Sequence, residues 1–374
     1  MAEKTSLSRL ILTDFRNYAE ASLRFNGRHV VLTGENGAGK TNLLEAISFL
    51  SPGRGLRRAV LGDVTRVGAA GGFSVFADIE GMEGEAAIGT GIDASDGEAV
   101  SRRLRINGTQ TKSTEELTDH LSVVWLTPAM DGLFTGAAGD RRRFLDRLVL
   151  SLDPAHGRRA SDFERAMRSR NKLLSEGRFD PAWLGAIEAQ MAELGIAMAA
   201  ARQEMLGLLR RLSPRSGDTP FPTPLLALKG FFDDTGDAPA AELEDRYRAA
   251  LETGRGRDAA AGRTLEGPHR ADLLVRHREK DMEAERCSTG EQKALLIGLV
   301  LAHARLTADM TGFAPILLMD EIAAHLDEGR RAALFDLIDG LGGQSFMTGT
   351  DRQMFSSLGE RAQFFTVSHG GISS

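Results

Sequence analysis

A glycine-rich segment near the start of the chain has the residue types and spacing of a loop that binds phosphate. It reads, in order, Gly34, Glu35, Asn36, Gly37, Ala38, Gly39, Lys40 and Thr41. Glycines let backbone N–H groups approach phosphate oxygens without a Cβ in the way, and a helix beginning here adds the positive end of its dipole. We expect Lys40 to contact the β- and γ-phosphates of a nucleotide and the Thr41 hydroxyl to help hold Mg²⁺.

The sequence on either side of this loop supports its interpretation as a Walker A motif. Residues 29–32 form an apolar run that predicts a strand, and residues 42–47 predict a helix directly after the loop. A chance glycine turn would lack this order of strand, loop and helix. The segment therefore indicates a P-loop nucleotide-binding protein.

A second motif, residues 288–292, matches the Ser-x-Gly-x-Gln signature of ABC-type ATPases. Ser288, Gly290 and Gln292 are its defining residues. A serine hydroxyl, a glycine N–H and a helix N-terminus form an anion site that suits a γ-phosphate presented by another molecule. Ser288 followed three residues later by Glu291 also matches a plain capping box, and the motif alone leaves both interpretations open.

A third motif, the apolar run 316–319 followed by Asp320 and Glu321, matches a Walker B strand. We expect Asp320 to contact Mg²⁺ through water, and Glu321 to orient or deprotonate the attacking water. An apolar strand followed by acids is common, but all three motifs in this order are much less common. Lys40, Asp320 and Glu321 are the predicted catalytic residues.

The pattern of predicted elements indicates an α/β fold in three parts. Strands predicted at 7–12 and 73–79 fall in residues 1–136, the predicted N-terminal half of an ATPase head with mixed sheets flanked by helices. Residues 137–261 are rich in Ala, Leu, Arg and Glu and predict a mostly helical inserted arm. Residues 262–374 are the predicted C-terminal half of the head.

The composition limits the possible locations and partners of the chain. Its 374 residues carry a net charge of −6, so any affinity for DNA must come from a local basic patch. The single cysteine, Cys287, suits a reducing compartment. We find no signal peptide and no apolar run approaching the ~18–20 residues of a membrane span. These features predict a cytoplasmic protein without a membrane partner.

The order of the three motifs resembles the SMC-type branch of the ABC ATPases, which act on DNA. Residues 14–18, 141–147 and 267–270 further resemble signatures of the RecF family of bacterial recombination-repair proteins. The resemblance implies an ABC-type head that binds ATP and Mg²⁺ and hydrolyses ATP slowly. It also implies an ATP-dependent homodimer, in which Ser288 and Gly290 of a second copy close over the γ-phosphate.

The same resemblance implies binding to gapped or junction DNA, with single and double strands, and the partner proteins RecR and RecO in loading recombinase. The candidate DNA contacts are Arg57, Arg141, Arg142 and Arg143. Alternatively, Arg57 lies in a solvated loop, and residues 141–143 form one turn of a solvated helix in which Arg142 pairs with Asp146.

Two other functions remain possible at this point. One is a generic SMC-like head ATPase in chromosome tethering or break repair, which needs a long coiled coil; residues 137–261 show no sustained heptads. The other is a DNA-binding scaffold with a vestigial nucleotide site. The presence of Lys40, Asp320 and Glu321 argues against such a scaffold. An assay of ATP turnover distinguishes an active ATPase from a scaffold with a vestigial site.

Overall fold

The structure is a computed structural model that describes residues 3–93, 101–111, 113–177, 180–212, 219–230, 238–368 and 371–373. By packing, the chain divides into two compact units. Unit 1 comprises Met1–Asp131, Pro214–Pro222 and Lys293–Ser374, and unit 2 comprises Gly132–Ser213 and Thr223–Gln292.

In chain order the strands are β1 (Glu3–Lys4), β2 (Ser6–Phe15), β3 (Tyr18–Arg24), β4 (His29–Thr33), β5 (Ser74–Gly81), β6 (Gly84–Gly91), β7 (Arg103–Ile106), β8 (Thr109–Gln110), β9 (Val123–Leu126), β10 (Pro224–Lys229), β11 (Asp272–His277), β12 (Met282–Glu283), β13 (Phe313–Ala314), β14 (Ile316–Met319), β15 (Ser345–Gly349), β16 (Ala362–Ser368) and β17 (Gly371–Ser373). The helices are α1 (Lys40–Ser48), α2 (Ala138–Leu150), α3 (His156–Ser175), α4 (Pro181–Leu212), α5 (Ala240–Thr253), α6 (Arg255–Ala261), α7 (Thr289–Thr311) and α8 (Glu328–Leu341).

The central sheet of unit 1 has the strand order β17-β16-β4-β15-β14-β9. The pairs from β16 to β9 are parallel, and β17 is antiparallel to β16. β4, β14 and β15 are buried along their whole length, which is why β4 and β14 appear in the sequence as continuous apolar runs. Because the strands are parallel, the loops that follow β4, β14 and β15 all leave the same edge of the sheet.

A second sheet of unit 1 is antiparallel throughout, with the order β3-β2-β5-β6-β7-β8. Its buried face and the central sheet share one hydrophobic core, which also takes in the apolar face of α1. Phe15, Phe49 and Phe73 meet edge to face within this core, with ring centroids 5.4–6.0 Å apart. The core therefore holds the helix after the glycine-rich loop against both sheets.

Unit 2 combines helices α2 to α6 with the three-stranded antiparallel sheet β10-β11-β12. One apolar cluster of unit 2 is formed by α3, α4 and α5, around buried Phe163, Met191, Ile196 and Tyr247. The long helix α4 contributes most of this core.

The division by packing falls at residues other than the predicted boundaries at 137 and 262. Residues 262–292 group with unit 2, because β11 pairs with β10 over six residue pairs. β10 also introduces a strand into a stretch predicted to be mostly helical. The division falls within α7, after Gln292.

In the described part of the chain, two helices, α4 and α7, are long and apolar enough to cross a membrane by length and composition alone. This departs from the expectation that no segment approaches that length. The most apolar window is 44% buried in α4 and 67% buried in α7. α4 also carries Glu188 and Arg202, buried and in ion pairs. We interpret both as core helices whose apolar residues serve packing.

A buried arginine, Arg170 of α3, joins its own helix to three other helices of unit 2, α4, α5 and α6. Its guanidinium donates to Glu188 Oε1 (2.9 Å), Asp258 Oδ2 (2.7 Å), Thr264 Oγ1 (2.9 Å) and the carbonyl of Leu251 (2.7 Å). Its side chain is 0% exposed. Glu188 also pairs with Arg255, and Asp258 also accepts from the backbone N–H of Leu265. Arg170 is thus the central cation of a buried polar network that determines how the helices of unit 2 pack.

Replacing Arg170 with methionine is therefore expected to lower the free energy of local opening, measured at the amides of α3 and α4, by about 3–5 kcal/mol. Buried Asp258 loses its ion pair with Arg170, and buried Glu188 loses one of the two arginines that it binds. Hydrogen exchange followed by mass spectrometry measures this locally. The control is Arg165→Met on the same helix, whose 72%-exposed side chain pairs with Asp162 and is expected to cost under about 1 kcal/mol. Equal losses in the two variants would contradict a structural role for the buried network.

Candidate nucleotide site

The glycine-rich loop connects β4 to α1, and Lys40 is the first residue of the helix. The Lys40 Nζ donates to the carbonyls of Gly34 (2.6 Å) and Glu35 (2.8 Å). Burial lowers the pKa of the Lys40 ammonium, and the carboxylates of Glu321 and Asp320 oppose that shift. The loop therefore holds a buried cation that faces two acids.

Three glycines of this loop have backbone angles that L-residues rarely adopt, with φ of 149° at Gly34, 83° at Gly37 and 115° at Gly39. Two of them are also crowded. A Cβ at Gly34 would lie 2.1 Å from the carbonyl oxygen of Val367, and a Cβ at Gly39 would lie 2.6 Å from the Tyr18 hydroxyl. Gly34 and Gly39 are therefore required both by their backbone angles and by the lack of space for a side chain, and Gly37 by its backbone angle alone.

Asp320, at the end of β14, is nearly buried and accepts hydrogen bonds from two hydroxyls. Thr41 Oγ1 lies 3.0 and 3.1 Å from its two carboxylate oxygens, and Thr348 Oγ1 lies 2.7 Å from Oδ1. The backbone N–H of Glu321 donates to the same Thr348 hydroxyl at 2.9 Å. The structure thus brings together Lys40, Thr41, Asp320 and Glu321, which the sequence predicted to act together.

The oxygen atoms at this point fit a magnesium ion. Mg²⁺ prefers hard oxygen ligands and is usually bound through one or two protein groups, with substrate phosphates and water completing the octahedron. The Thr41 hydroxyl and the Asp320 carboxylate supply such a pair within hydrogen-bond distance of each other.

The P-loop is also supported from the tip of the β2–β3 hairpin, where the sequence assigned no role. The Tyr18 hydroxyl donates to the carbonyl of Gly39 (3.1 Å), and Asn17 Nδ2 donates to that of Ala38 (3.2 Å). Asn42 Nδ2 in turn donates to Asn17 Oδ1 at 2.7 Å. Burial raises the pKa of Tyr18, so the hydroxyl stays a donor. The only sequence signal for these contacts was the family resemblance of residues 14–18.

Arg57, a candidate DNA contact, is hydrogen-bonded to the P-loop helix. Its NH1 donates to Asn42 Oδ1 (2.6 Å) and to Glu45 Oε2 (2.8 Å). Glu45 is fully buried and also receives a bidentate pair from Arg16, at 2.6 and 2.8 Å. The Arg57 side chain remains 41% exposed, and its contact with DNA stays a prediction.

The signature motif lies in unit 2, where α7 begins. Ser288 N–H donates to Glu291 Oε2 (2.9 Å), and Glu291 N–H donates to Ser288 Oγ (3.4 Å), so the capping box forms. The side-chain bond from Lys280 lowers the pKa of Glu291 to about 2. Gln292 is buried and donates to the carbonyl of Cys287 (2.9 Å).

Ser288 and Gly290 are both exposed at this helix start. A Cβ at Gly290 would meet no described atom within 4 Å. The capping role of Ser288 therefore leaves the same surface accessible to an anion, and the structural and functional interpretations are compatible.

The three arginines of α2 predicted as DNA contacts differ in their surroundings. Arg141 forms a bidentate pair with Asp272 at 2.7 and 2.8 Å, and Arg142 donates to the carbonyl of Ala271 at 2.7 Å. Arg143 is 48% exposed and pairs with an acid of the preceding turn. Arg141 and Arg142 thus bind within unit 2, and Arg143 is the most exposed of the three.

The suggested i,i+4 pair of Arg142 with Asp146 is wrong. Asp146 instead accepts a bidentate bond from Arg202 of α4, at 2.7 and 2.9 Å, and a bond from His156 at 2.8 Å. Arg202 is buried and cannot be solvated by water, so it needs a carboxylate partner. Arg142 is partly exposed and bonds to a backbone carbonyl instead.

The fold and site together define the class of ABC-type P-loop ATPases. The features of this class are a mostly parallel sheet with a P-loop and two Walker B acids at one edge, and an antiparallel sheet that shares its core.

The family model described as the RecF/RecN/SMC N-terminal domain matches residues 6–373. The chain is 76% identical to the DNA replication and repair protein RecF of Agrobacterium fabrum, over 100% of the chain and 99% of that relative. It is 71% identical to the RecF of Rhizobium meliloti, over 100% of both. The chain belongs to the RecF family.

Solved structures give the same fold. The recombination mediator protein RecF with ATP matches with a TM-score of 0.87 at 21% identity, over 100% of this chain and 98% of that one. An SMC head domain of Pyrococcus furiosus matches with a TM-score of 0.53 at 16% identity, over 99% of this chain and 95% of that one. The fold is therefore nearer to RecF than to this SMC head.

The crowding at Gly34 predicts the result of a small substitution. Gly34→Ala places a methyl group against the Val367 carbonyl, so the P-loop must shift, and we expect ATP affinity to fall about 100-fold. Titration calorimetry measures the affinity, and circular dichroism checks the fold. The control is Gly53→Ala, which has φ of 96° and meets no described atom within 4 Å; it carries only the backbone strain of about 1–2 kcal/mol. Normal ATP affinity in the Gly34 variant would show that the loop tolerates this shift.

Proposed function

We propose that this RecF-family protein is a slow, Mg²⁺-dependent ATPase that dimerises on ATP at gapped or junction DNA and helps to load recombinase onto single strands. The convergence of Thr41 and Thr348 on Asp320, beside Lys40 and Glu321, is the observation that carries the proposal. These are the kinds of group that one half of an ATP site needs, which supports the proposal. The RecF relatives act in DNA replication and repair, and solved RecF structures concern ATP and the RecFOR pathway.

Each residue of the site has a chemical task in this proposal. Lys40 neutralises charge on the β- and γ-phosphates, and the loop N–H groups bind their oxygens. The Thr41 hydroxyl, and Asp320 through water, would hold Mg²⁺, which would neutralise the charge that develops on the phosphates. Glu321 orients the attacking water and accepts its proton.

The signature motif acts, in this proposal, on the nucleotide of a second copy. Ser288 and Gly290 present a hydroxyl, an N–H and a helix N-terminus at an exposed surface, which suits an anion carried by a partner. A two-fold dimer then contains two ATP sites, each with the Walker motifs of one copy and the signature of the other. ATP stabilises the dimer, and hydrolysis releases it from DNA.

Mixing two inactive variants tests this shared site. Lys40→Met removes the P-loop cation, and Ser288→Arg blocks the signature surface, so each variant alone is expected to lose turnover. A heterodimer retains one intact site, so a 1:1 mixture is expected to recover up to about a quarter of wild-type turnover by random pairing. Steady-state ATPase assays and light scattering measure recovery and dimerisation. A mixture as inactive as its components, although both variants are folded, would contradict the shared site.

The proposed partners follow from the family. Single- and double-stranded DNA at a gap or junction, RecR and RecO are assigned by resemblance, and a cytoplasmic location is expected for proteins that act on DNA in bacteria. Of the four candidate arginines, Arg143 and Arg57 retain the exposed side chains that a phosphate contact needs.

A substitution of Glu321 separates ATP binding from hydrolysis. Glu321→Gln keeps the shape of the side chain but removes the base, so turnover is expected to fall about 100–10,000-fold while ATP binding persists. The ATP-bound dimer is then expected to remain on gapped DNA for longer, measured by fluorescence anisotropy after dilution into competitor. Unchanged hydrolysis in this variant would exclude Glu321 as the base.

A further inference from the structure

Thr348 belongs to none of the three sequence motifs, yet it lies at the centre of the Walker B site. It is the penultimate residue of β15, the strand between β4 and β14, and its side chain is fully buried. The strand that carries Thr348 therefore separates the strand before the P-loop from the strand before the two acids.

The hydrogen bonds of the Thr348 hydroxyl determine where its proton lies. A backbone N–H can only donate, so the hydroxyl oxygen accepts from Glu321 at 2.9 Å. Its single proton is then available for Asp320 Oδ1, at 2.7 Å. One hydroxyl thus connects the side chain of Asp320 to the backbone of Glu321.

These two bonds act on two different groups. Thr41 and Thr348 both donate to the Asp320 carboxylate, which restricts its rotation. Glu321 has φ of 52° and ψ of 25°, a left-handed conformation that costs a non-glycine residue about 1–2 kcal/mol. The bond from its N–H to Thr348 helps to hold that turn, and with it the direction in which the chain leaves the sheet.

We propose that Thr348 is a positioning residue for ATP hydrolysis. Its hydroxyl fixes the position of the Asp320 carboxylate, proposed to bind magnesium, relative to the backbone of Glu321. This inference rests on the proposed ATPase function of the same site. Thr348 acts through these two residues and needs no contact with the nucleotide. Its loss should therefore change the magnesium requirement and turnover more than the binding of metal-free ATP.

The test compares the full-length wild type with Thr348→Val, Thr348→Ser and Ser345→Ala. Valine keeps the volume and removes the hydroxyl, whereas serine keeps the hydroxyl. Ser345 is the matched control, because it is buried at the other end of β15 and bonds His29 Nδ1 at 2.9 Å, away from the two acids. The readouts are kcat, the Mg²⁺ concentration for half-maximal turnover, ATP binding in EDTA, and thermal unfolding.

We expect Thr348→Val to raise the half-maximal Mg²⁺ concentration or lower kcat by about 10–100-fold, the usual effect of losing a partner of a metal ligand. ATP binding in EDTA should stay within about twofold of wild type, and Thr348→Ser should restore most of the activity. Ser345→Ala should match the wild type in Mg²⁺ dependence even if its unfolding temperature falls.

Wild-type Mg²⁺ dependence and kcat in Thr348→Val would overturn the inference, as would an equal defect in Ser345→Ala or no rescue by serine. If the valine variant does not fold, Thr348→Ala takes its place, and activity equal to that of Thr348→Ser overturns the inference. Failure of the proposed function has a different signature, because the wild type itself would then show no Mg²⁺-dependent turnover.

Discussion

Parallel pairing of β4, β15 and β14 is the constraint on which the candidate nucleotide site depends. The three strands run in the same direction and are fully buried, so their carboxyl ends and the loops that follow share one edge. Residues almost 280 positions apart in the chain, Thr41 and Asp320, thereby come within 3.0 Å of each other. The energy for this arrangement comes from burying apolar strand residues, and the polar groups at the edge are positioned as a consequence.

The polar groups at that edge are supported by further contacts that restrict their freedom. The hairpin tip holds the P-loop through the carbonyls of Ala38 and Gly39, and Glu45 anchors the helix behind it through Arg16 and Arg57. Because buried charges and hydrogen-bonding groups need partners, each of these residues depends on the others. These contacts restrict the glycine-rich loop and the start of α1 to one arrangement, and restricting a binding loop in its binding conformation reduces the free-energy cost of binding.

Unit 2 uses the same physical chemistry for a different purpose. Arg170 and Arg202 are buried arginines whose carboxylate partners lie on other segments of the unit. These pairs specify which helices of unit 2 meet, while its apolar cluster supplies the burial. At the start of α7, Ser288 caps the helix and remains exposed, so one residue serves both the fold and the proposed recognition of a second copy.

The sequence by itself determined the local features, namely the P-loop between β4 and α1, the β14 strand with its two acids, and the capped start of α7. Each is encoded by residues that are close in the chain: the glycine spacing encodes the P-loop, the apolar run encodes β14, and the serine cap encodes the start of α7. The sequence did not reveal β9, which pairs with the distant strand β14. It also did not reveal the extent of unit 2, because the pairing of β10 with β11 joins segments more than forty residues apart. Only the tertiary structure decided that Asp146 binds Arg202 rather than Arg142, and that Thr348 lies between Asp320 and Glu321. The reason is physical: a side chain's partner depends on burial and strand order, which local spacing does not contain.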